Sequence, residues 1–324
     1  MQLPVDLREG ISRMLEGVSR SALAERARRI SAMYRGGGAS VIAVRDEIDA
    51  LAYIVARLPA TYGAVRQVLQ RLLERRPDFK PRSLLDLGAG PGTASWAAVD
   101  AWPQIDSIAQ VDSNAALLGL GRQLAESALS GALRGATRVE ADIAQGSDND
   151  KSFECVILSY TLSELTQDQM KSALHHAWRR CAGALAIVEP GTPAGYKRIL
   201  FAHDRLLAMG ARILAPCPHQ LACPLAAGDW CHFAQRVSRT RDHMILKGAE
   251  LPYEDEKFSY LIAVRESSFE PAARNRILSR PETGKAGLVA KLCKIDGRCE
   301  LVSIPRRDKV EFRRAKKKDW GDEI

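Results

Sequence analysis

The sequence predicts an α/β protein with a doubly wound, mainly parallel sheet. From about residue 83 to residue 193, short apolar runs alternate with segments of helical period, as in strand–helix–strand units. The first apolar run leads into a glycine-rich turn, and acidic residues stand at the ends of the next two runs. These observations predict the fold class and a ligand site at the strand ends.

Length and composition agree with a folded protein. The chain has 324 residues, of which 46% are hydrophobic and 27% charged, and a net charge of +8. These values exclude disorder over most of the length, and no apolar run is long enough to cross a membrane. We expect no secretory signal, because no apolar segment follows a basic one at the start. The seven cysteines are then expected as thiols or metal ligands.

An N-terminal helical region is predicted at residues 1–82. Apolar residues recur at spacings of three to five over Ile11–Arg35, and Gly36–Gly38 end that helix. A second helix is predicted near Asp46–Leu58 and a third near Ala60–Arg75, each ending before a proline.

The sheet region is predicted at residues 83–265 and a C-terminal β extension at 266–324. The predicted strands are Ser83–Leu87, Ser107–Val111, Thr137–Ala141, Glu154–Ser159, Ala184–Glu189 and Phe258–Arg265. The predicted helices are Ala94–Ala101, Ala115–Leu129, Gln167–Arg180 and Tyr196–Met209. A Cys-rich loop at 215–233 follows the last helix. The extension holds a hairpin over Gly287–Ser303, turning at Asp296-Gly297, and a basic tail.

Residues 84–92, LLDLGAGPG, form an apolar strand that runs into a Gly-x-Gly-x-Gly turn ahead of a helix. Glycine lets the backbone turn sharply and approach a ligand, and the helix N-terminus offers unpaired N–H donors. A dinucleotide-binding turn has its third glycine one residue later. The shorter spacing and the preceding acid, Asp86, resemble motif I of the class I S-adenosylmethionine-dependent methyltransferases, in which this acid helps to position the cationic methionine end of the cofactor.

Two further acids extend this prediction. Asp112 ends the next strand, 26 residues after Asp86, where it can accept hydrogen bonds from both ribose hydroxyls. Asp142 follows the third strand and is placed to meet the adenine edge. The alternative is a structural turn with acids that only cap helices. The predicted cofactor residues are Asp86, Gly88, Ala89, Gly90, Gly92, Asp112, Ser113 and Asp142.

The fourth strand leads into residues 158–165, LSYTLSEL, where a methyl acceptor would bind. The Asn/Asp-Pro-Pro-Tyr sequence of enzymes that methylate base amines is absent, and so is a cysteine nucleophile for cytosine-C5 methylation. Ser159, Tyr160 and Glu164 can line the cleft, but no general base is evident. The catalytic residues therefore stay unassigned.

Three cysteines, Cys217, Cys223 and Cys231, fall within fifteen residues beside several prolines. Proline stiffens a loop and lacks an N–H, and it is frequent beside iron–sulfur ligands. The spacing C-x5-C-x7-C differs from the Cys-x-x-Cys of structural zinc. Chemistry alone leaves an iron–sulfur cluster and zinc open. Further candidate ligands are Cys293 and Cys299 as a fourth thiolate and, for zinc, His219 and His232.

Most of the positive charge lies in residues 304–318, IPRRDKVEFRRAKKK, which carry eight basic residues and two acids. A solvated terminus is one explanation, but the adjoining hairpin and Phe312 favour contact with nucleic-acid phosphates. The predicted RNA-binding residues are Arg306, Arg307, Lys309, Arg313, Arg314, Lys316, Lys317 and Lys318. A second basic cluster is Arg66, Arg71, Arg75, Arg76, Lys80 and Arg82.

Several segments together resemble one known family. They are YIVARLP at 53–59, SLLDLGAGPGTASWAA at 83–98, LSYTLSEL, VEPGTPAG at 188–195, APCPHQLACP with WCHF, and the terminal Trp320-Gly321-Asp322. This set is similar to the methyltransferase-like proteins of the mitochondrial small ribosomal subunit and their bacterial relatives, over nearly the whole chain from about residue 30. The cysteine loop is its most specific part.

The resemblance implies a factor that binds small-subunit ribosomal RNA during ribosome assembly, with a class I methyltransferase fold and a four-iron four-sulfur cluster. It implies Cys217, Cys223, Cys231 and Cys293 as the cluster ligands, and Cys299 as a bystander. We expect a bacterial, cytoplasmic protein that is monomeric when free. Two functions stay open, an S-adenosylmethionine-dependent rRNA methyltransferase and a non-catalytic RNA-binding assembly factor on the same scaffold.

Overall fold

The computed structural model describes residues 1–35, 40–146, 151–265 and 274–324. Its helices are α1 (Val5–Met14), α2 (Arg20–Arg35), α3 (Ser40–Ala43), α4 (Glu47–Arg75), α5 (Thr93–Ala101), α6 (Ala115–Ala125), α7 (Gly131–Arg134), α8 (Gln167–Arg179), α9 (Pro193–Ala208), α10 (Arg241–Lys247) and α11 (Lys309–Ala315). Its strands are β1 (Ser83–Leu87), β2 (Ser107–Asp112), β3 (Thr137–Glu140), β4 (Phe153–Ser159), β5 (Cys181–Pro190), β6 (Arg212–Ala215), β7 (Phe233–Ser238), β8 (Tyr253–Val264), β9 (Arg276–Ile277), β10 (Glu282–Thr283), β11 (Gly287–Cys293) and β12 (Cys299–Pro305).

The predicted doubly wound sheet is confirmed. Its strand order is β3-β2-β1-β4-β5-β8-β6, and β7 also pairs with β8. Strands β1 to β5 are parallel, whereas β8 runs antiparallel to β5, β6 and β7. The chain reverses its direction of progress across the sheet between β1 and β4, which opens a crevice at their carboxyl ends. This is the Rossmann-like methyltransferase sheet that the sequence predicts.

Apolar packing on both faces of the sheet explains why the strands read as continuous apolar runs. One cluster of buried side chains joins α4, α5 and α6 to one face, and a second joins α8 and α9 to the other. A third, smaller cluster lies in the C-terminal sheet of β9 to β12, beside α11. The division of the chain at residues 82 and 265 stays a prediction.

The N-terminal helices differ from the prediction in two places. The single helix predicted over Ile11–Arg35 is two helices, because the chain breaks after α1 and Gly17 takes a φ of +72°. Conversely, the helices predicted on either side of Pro59 are one continuous helix, α4. An internal proline costs about 3 kcal/mol, but α4 buries many apolar side chains, each worth roughly 1.5–3 kcal/mol. The predicted glycine stop at Gly36–Gly38 lies outside the described residues.

Strands β6 and β7 were not predicted, and they explain how the cysteine loop is held. Both pair with β8, β6 through residues 262–264 and β7 through residues 253–258. They therefore form one interrupted edge strand, and residues 216–232 leave the sheet between its two halves. Helices α10 and α11 were also missed.

The C-terminal residues dock back onto α4 and the cysteine loop. Arg71 on α4 binds Asp322 at 3.1 Å. The buried Arg276 donates hydrogen bonds to the carbonyls of Pro216 and Gly321, at 3.1 and 2.7 Å, and binds Glu323 at 2.8 Å. These contacts tie the small sheet to the main one. Within the described residues, no helix combines the length and apolar character needed to cross a membrane.

Candidate functional site

A cleft of about 560 Å³ opens at the carboxyl ends of strands β1 to β4, where the sequence places the cofactor. Its lining residues are Tyr53, Gly88, Gly90, Asp112, Ser113, Leu117, Ala141, Asp142, Ile143, Ser159, Tyr160, Thr161, Glu164 and Leu165. The structure thus brings together the predicted acids of β2 and β3 and all three candidates that follow β4.

Asp112 and Gly90 join the second strand to the glycine turn. The Gly90 N–H donates a hydrogen bond of 2.7 Å to Asp112 Oδ2, and the Asn114 N–H donates one of 2.8 Å to Oδ1. Burial raises the pKa of Asp112, and these N–H donors oppose that rise. Each carboxylate oxygen has a further lone pair, so Asp112 can still accept hydrogen bonds from two vicinal hydroxyls.

Two glycines of the turn are required for different reasons. Gly90 has a φ of +52° and lines the cleft, and a Cβ there would meet only Leu117, at 3.8 Å. Gly92 has a φ of +81°, and a Cβ there would lie 2.5 Å from Gln110 Nε2. Gly90 therefore leaves room for a ligand, whereas Gly92, at the start of α5, keeps the helix close to β2.

Asp86 lies beneath the turn, outside the residues that line the cleft. Its Oδ2 accepts hydrogen bonds from the amide and the hydroxyl of Ser95, at 3.0 and 2.7 Å, which fixes the first turn of α5. Complete burial raises the pKa of Asp86 to about 7. Ala89 and Gly92 also do not line the cleft. Asp86, Ala89 and Gly92, all predicted as cofactor residues, therefore support the turn rather than face the cleft.

Ser113 and Asp142 both line the cleft beside Asp112. Asp142 Oδ1 accepts a hydrogen bond from the Ala144 N–H at 2.9 Å, which orients the carboxylate at the end of β3. The adenine-facing position predicted for Asp142 is therefore available at the edge of the cleft nearest to β3.

The far end of the cleft is formed by residues that follow β4. Ser159, Tyr160 and Glu164 line it, as predicted, together with Thr161 and with Tyr53 from α4. Glu189, at the end of β5, accepts a hydrogen bond from the Leu162 N–H at 2.9 Å and so supports the short turn that carries Glu164. Sequence reasoning missed Tyr53, Thr161 and Glu189 as site residues, although all three fall in segments that carry the family resemblance.

A second cavity, with about 500 Å³ of space free of protein atoms, collects four cysteines. Cys217, Cys223 and Cys231 reach it from the loop between β6 and β7, and Cys293 from β11. The remaining lining residues are Tyr196, Ile199, Leu200, His203, Pro216, Leu225, Tyr260, Leu261 and Leu278. Two distant segments of the chain thus present thiols to one largely apolar space.

The surroundings of Cys217, Cys231 and Cys293 favour the neutral thiol over the thiolate. Burial raises the pKa of Cys217 and Cys231, and the neighbouring cysteines raise both further. Burial likewise raises the pKa of Cys293 to about 12. Cys223 lies 3.0 Å from the hydroxyl of Tyr196. Any metal that binds here must therefore displace protons from the thiols.

The other candidate ligands lie outside this lining. Cys299 is directly opposite Cys293 in the β11–β12 hairpin but does not line the cavity. His219 Nε2 is 3.4 Å from Cys293 Sγ, at the edge of the thiol group. His232 stacks on Trp230, with ring centroids 5.1 Å apart, and lines a different pocket.

Part of the predicted basic tail forms helix α11, which contains Lys309, Arg313 and Arg314, and the other five basic residues flank it. Within the described ranges, none of the eight basic residues from Arg306 to Lys318 has a carboxylate within 4.0 Å, and all except Lys318 are well exposed. Phe312 packs into the small C-terminal core, and Arg306 lies over its ring. Phe312 thus anchors α11, and the cations of the helix face solvent.

The second basic cluster is mostly neutralised by acids. Arg66 binds Asp100 at 2.7 Å, and Arg76 binds Asp78 at 2.9 Å. The other pairs are Arg71 with Glu74 and Asp322, Arg75 with Glu323, and Arg82 with Asp106. Five of the six predicted cations are therefore engaged within the protein, unlike those of α11.

Comparison with known proteins gives a family and several relatives. A family model described as mitochondrial small ribosomal subunit Rsm22 matches residues 47–324. The human ribosome assembly protein METTL17, mitochondrial, is 28% identical, with 84% of this chain and 61% of that protein covered. The mitochondrial Rsm22-cox11 tandem protein 2 of Schizosaccharomyces pombe is 25% identical, with 84% and 42% covered. The chain thus spans only part of the length of these relatives.

Similar solved structures include methyltransferases. Magnesium protoporphyrin IX methyltransferase from Synechocystis, with bound S-adenosylmethionine, has a TM-score of 0.44 and 17% identity, with 81% of this chain and 98% of that chain covered. A putative RNA methyltransferase from Pyrococcus horikoshii has a TM-score of 0.40 and 13% identity, with 62% and 81% covered.

Proposed function

The chain belongs to the Rsm22 family of the mitochondrial small ribosomal subunit, and we propose that it binds small-subunit ribosomal RNA during ribosome assembly. The observation that carries this proposal is the family match over residues 47–324, which includes both candidate sites and the basic helix. A relative in this group is described as a ribosome assembly protein. The cofactor, the metal cluster and the RNA contacts proposed below rest on this chain's own residues.

The cleft is proposed to bind S-adenosylmethionine. Asp112 would accept hydrogen bonds from the ribose hydroxyls, Asp142 and Ser113 would face the adenine side, and Gly90 would leave room for the ligand. When bound, S-adenosylmethionine supplies an electrophilic methyl group on a sulfonium. The residues at the end of β4 would then lie at the methyl end, because β4 follows β1 in the sheet on the side away from the acids of β2 and β3.

Both methyl transfer and a purely structural role fit this cleft. In an enzyme, Ser159, Tyr160 and Glu164 would position the acceptor, and proximity and orientation would supply most of the rate. A non-catalytic scaffold is favoured by one observation, since Tyr160 is held against Glu256 by a hydrogen bond of 2.8 Å rather than left free for an acceptor.

The cysteine cavity is proposed to hold a four-iron four-sulfur cluster on Cys217, Cys223, Cys231 and Cys293. Four cysteine thiolates are the donor set of such clusters. The rest of the cavity lining is largely apolar. Among the described residues, no three His, Cys, Asp or Glu side chains are arranged to hold a single metal ion. The spacing of the loop cysteines, which differs from the Cys-x-x-Cys of structural zinc, supports the cluster, and zinc remains the alternative.

Contact with RNA is proposed for the basic residues of the C-terminal helix and its flanks. Val310, Arg313, Arg314, Lys317 and Lys318 border a shallow surface depression, and their cations have no carboxylate partners in the described chain. Such cations can neutralise phosphates and release counterions.

Two measurements test the proposed function. Purified protein is titrated with S-adenosylmethionine, and labelled cofactor is then offered with small-subunit RNA. We expect saturable cofactor binding and RNA binding that weakens with salt, and label transfer to RNA would select the enzyme over the scaffold. Failure to bind small-subunit RNA at low salt would contradict the assembly role.

A further inference from the structure

Strand β8 extends past the carboxyl edge of the main sheet. Its residue Phe258 pairs with Pro190, the last residue of β5. Residues 253–257 continue beyond that point and, among the strands that the structure describes, pair only with β7. Glu256 lies in this overhang, so a carboxylate stands above the edge where the methyl end of the cleft opens.

Tyr160 meets that carboxylate through an uncommon backbone conformation. It is the single non-glycine residue with positive φ, +59°, in the described part of the chain. Its N–H donates to the Val188 carbonyl at 2.7 Å, and its hydroxyl donates to Glu256 Oε1 at 2.8 Å. Arg57 lies 3.5 Å from the same oxygen, and its guanidinium carbon is 5.9 Å from the Tyr160 ring centroid. A left-handed tyrosine persists only where its surroundings hold it.

The Tyr160 ring separates the cleft from the ion pair. Tyr160 lines the cleft beside Ser159, whereas Arg57 and Glu256 do not. The pair therefore lies behind the ring and braces it from two elements, α4 and β8. Burial raises the pKa of Tyr160 well above its ordinary value, so the hydroxyl stays a donor to Glu256.

We propose that Tyr160, braced by Glu256 and Arg57, is a positioning residue that closes the methyl end of the cofactor cleft. The closed ring limits the size of the group that the sulfonium can carry and shields the methyl group from a macromolecular acceptor. This inference rests on the proposed cofactor and deepens it, because the cleft then retains S-adenosylmethionine as a bound ligand while access to its methyl group is restricted.

The test compares two ligands on the full-length protein by calorimetric titration. One is S-adenosylmethionine, and the other carries an allyl group in place of the sulfonium methyl. We expect the allyl analogue to bind at least about tenfold more weakly, since forcing extra carbon atoms into a closed space is unfavourable. This comparison needs no variant.

Variants of Tyr160 then test whether its ring is the group that excludes the allyl analogue. Tyr160→Gly suits the left-handed backbone and should bring the allyl analogue to within about twofold of S-adenosylmethionine. Tyr160→Phe keeps the ring and loses only the hydroxyl, so it should retain most of the discrimination. Equal binding of both ligands by the unaltered protein, or equal discrimination by Tyr160→Gly, would overturn the inference. Absence of S-adenosylmethionine binding would instead overturn the proposed cofactor itself, a distinguishable result.

Discussion

Asp112 accepts a hydrogen bond of 2.7 Å from the backbone N–H of Gly90, which locks the acid at the end of β2 to the glycine turn after β1. This contact fixes the orientation of a carboxylate whose remaining lone pairs face the cleft. The same contact therefore shapes the turn and orients the carboxylate, which makes Asp112 the most direct test of the proposed cofactor binding.

Asp112→Asn should lower the affinity for S-adenosylmethionine by roughly tenfold or more, because it weakens charge-assisted hydrogen bonds worth about 1.5–3 kcal/mol. Calorimetric titration measures the change. The matched control is Asp106→Asn, which alters an exposed acid just before β2 and should leave the affinity unchanged. Equal losses in the two variants would argue against Asp112 as a ligand.

Cys293→Ser should lose most of the bound iron and sulfide, because it removes the one thiol that the C-terminal sheet contributes to the cavity. Iron and sulfide analysis of anaerobically purified protein, with absorbance near ~400 nm, reports the loss. Cys299→Ser is the control, since Cys299 lies directly opposite on the hairpin but outside the lining. Stoichiometric zinc in colourless unaltered protein would contradict the cluster.

Replacing Arg313, Arg314 and Lys317 by alanine should weaken RNA binding and flatten its salt dependence. Each lost phosphate contact reduces the magnitude of the slope of log K against log salt by roughly 0.7–0.9. The slope of the triple variant should therefore be smaller in magnitude by about 2–3. Filter binding at several salt concentrations measures the slope. Arg76→Ala is the control, because Arg76 is already paired with Asp78. An unchanged slope in the triple variant would show that the helix is only solvated.

His243 on α10 should make stability depend on pH. Its side chain is fully buried 3.5 Å from Glu254, and burial lowers its pKa to about 4. The unfolded chain therefore takes up the proton first as pH falls. The neutral His243 side chain makes its full contribution to the free energy of unfolding above pH ~6.5. This contribution is lost as the pH falls toward ~4, by at most about 1.4 kcal/mol per pH unit.

Urea unfolding of the unaltered protein and of His243→Gln, measured between pH 4 and 7, checks this prediction. The free energy of unfolding of the unaltered protein should fall relative to that of His243→Gln as the pH decreases through this range. A difference that stays constant with pH would show that His243 is not the titrating group.

Local sequence patterns were sufficient to predict the parallel part of the main sheet and to indicate the residues that meet in the two candidate sites. Strands β1 and β4 are buried on both faces and read as apolar runs, and the glycine turn is contiguous in sequence. The cysteine triplet is likewise local. Strands β6 and β7 were missed because they pair with β8 at the sheet edge and neither contains a long apolar run. The contact between Tyr160 and Glu256 joins residues 96 positions apart, and no local pattern reports it.

The cysteine loop between β6 and β7 comes after the cleft residues in the sequence, so the two candidate sites are synthesised in a fixed order. Every residue that lines the cofactor cleft precedes the first loop cysteine, whereas the cavity receives its last thiol from β11, near the C-terminal end of the described chain. A nascent chain can therefore complete the cleft lining before the thiol cavity can close. Closure of that cavity requires the C-terminal sheet, which supplies Cys293, to pack against the cysteine loop of the main sheet.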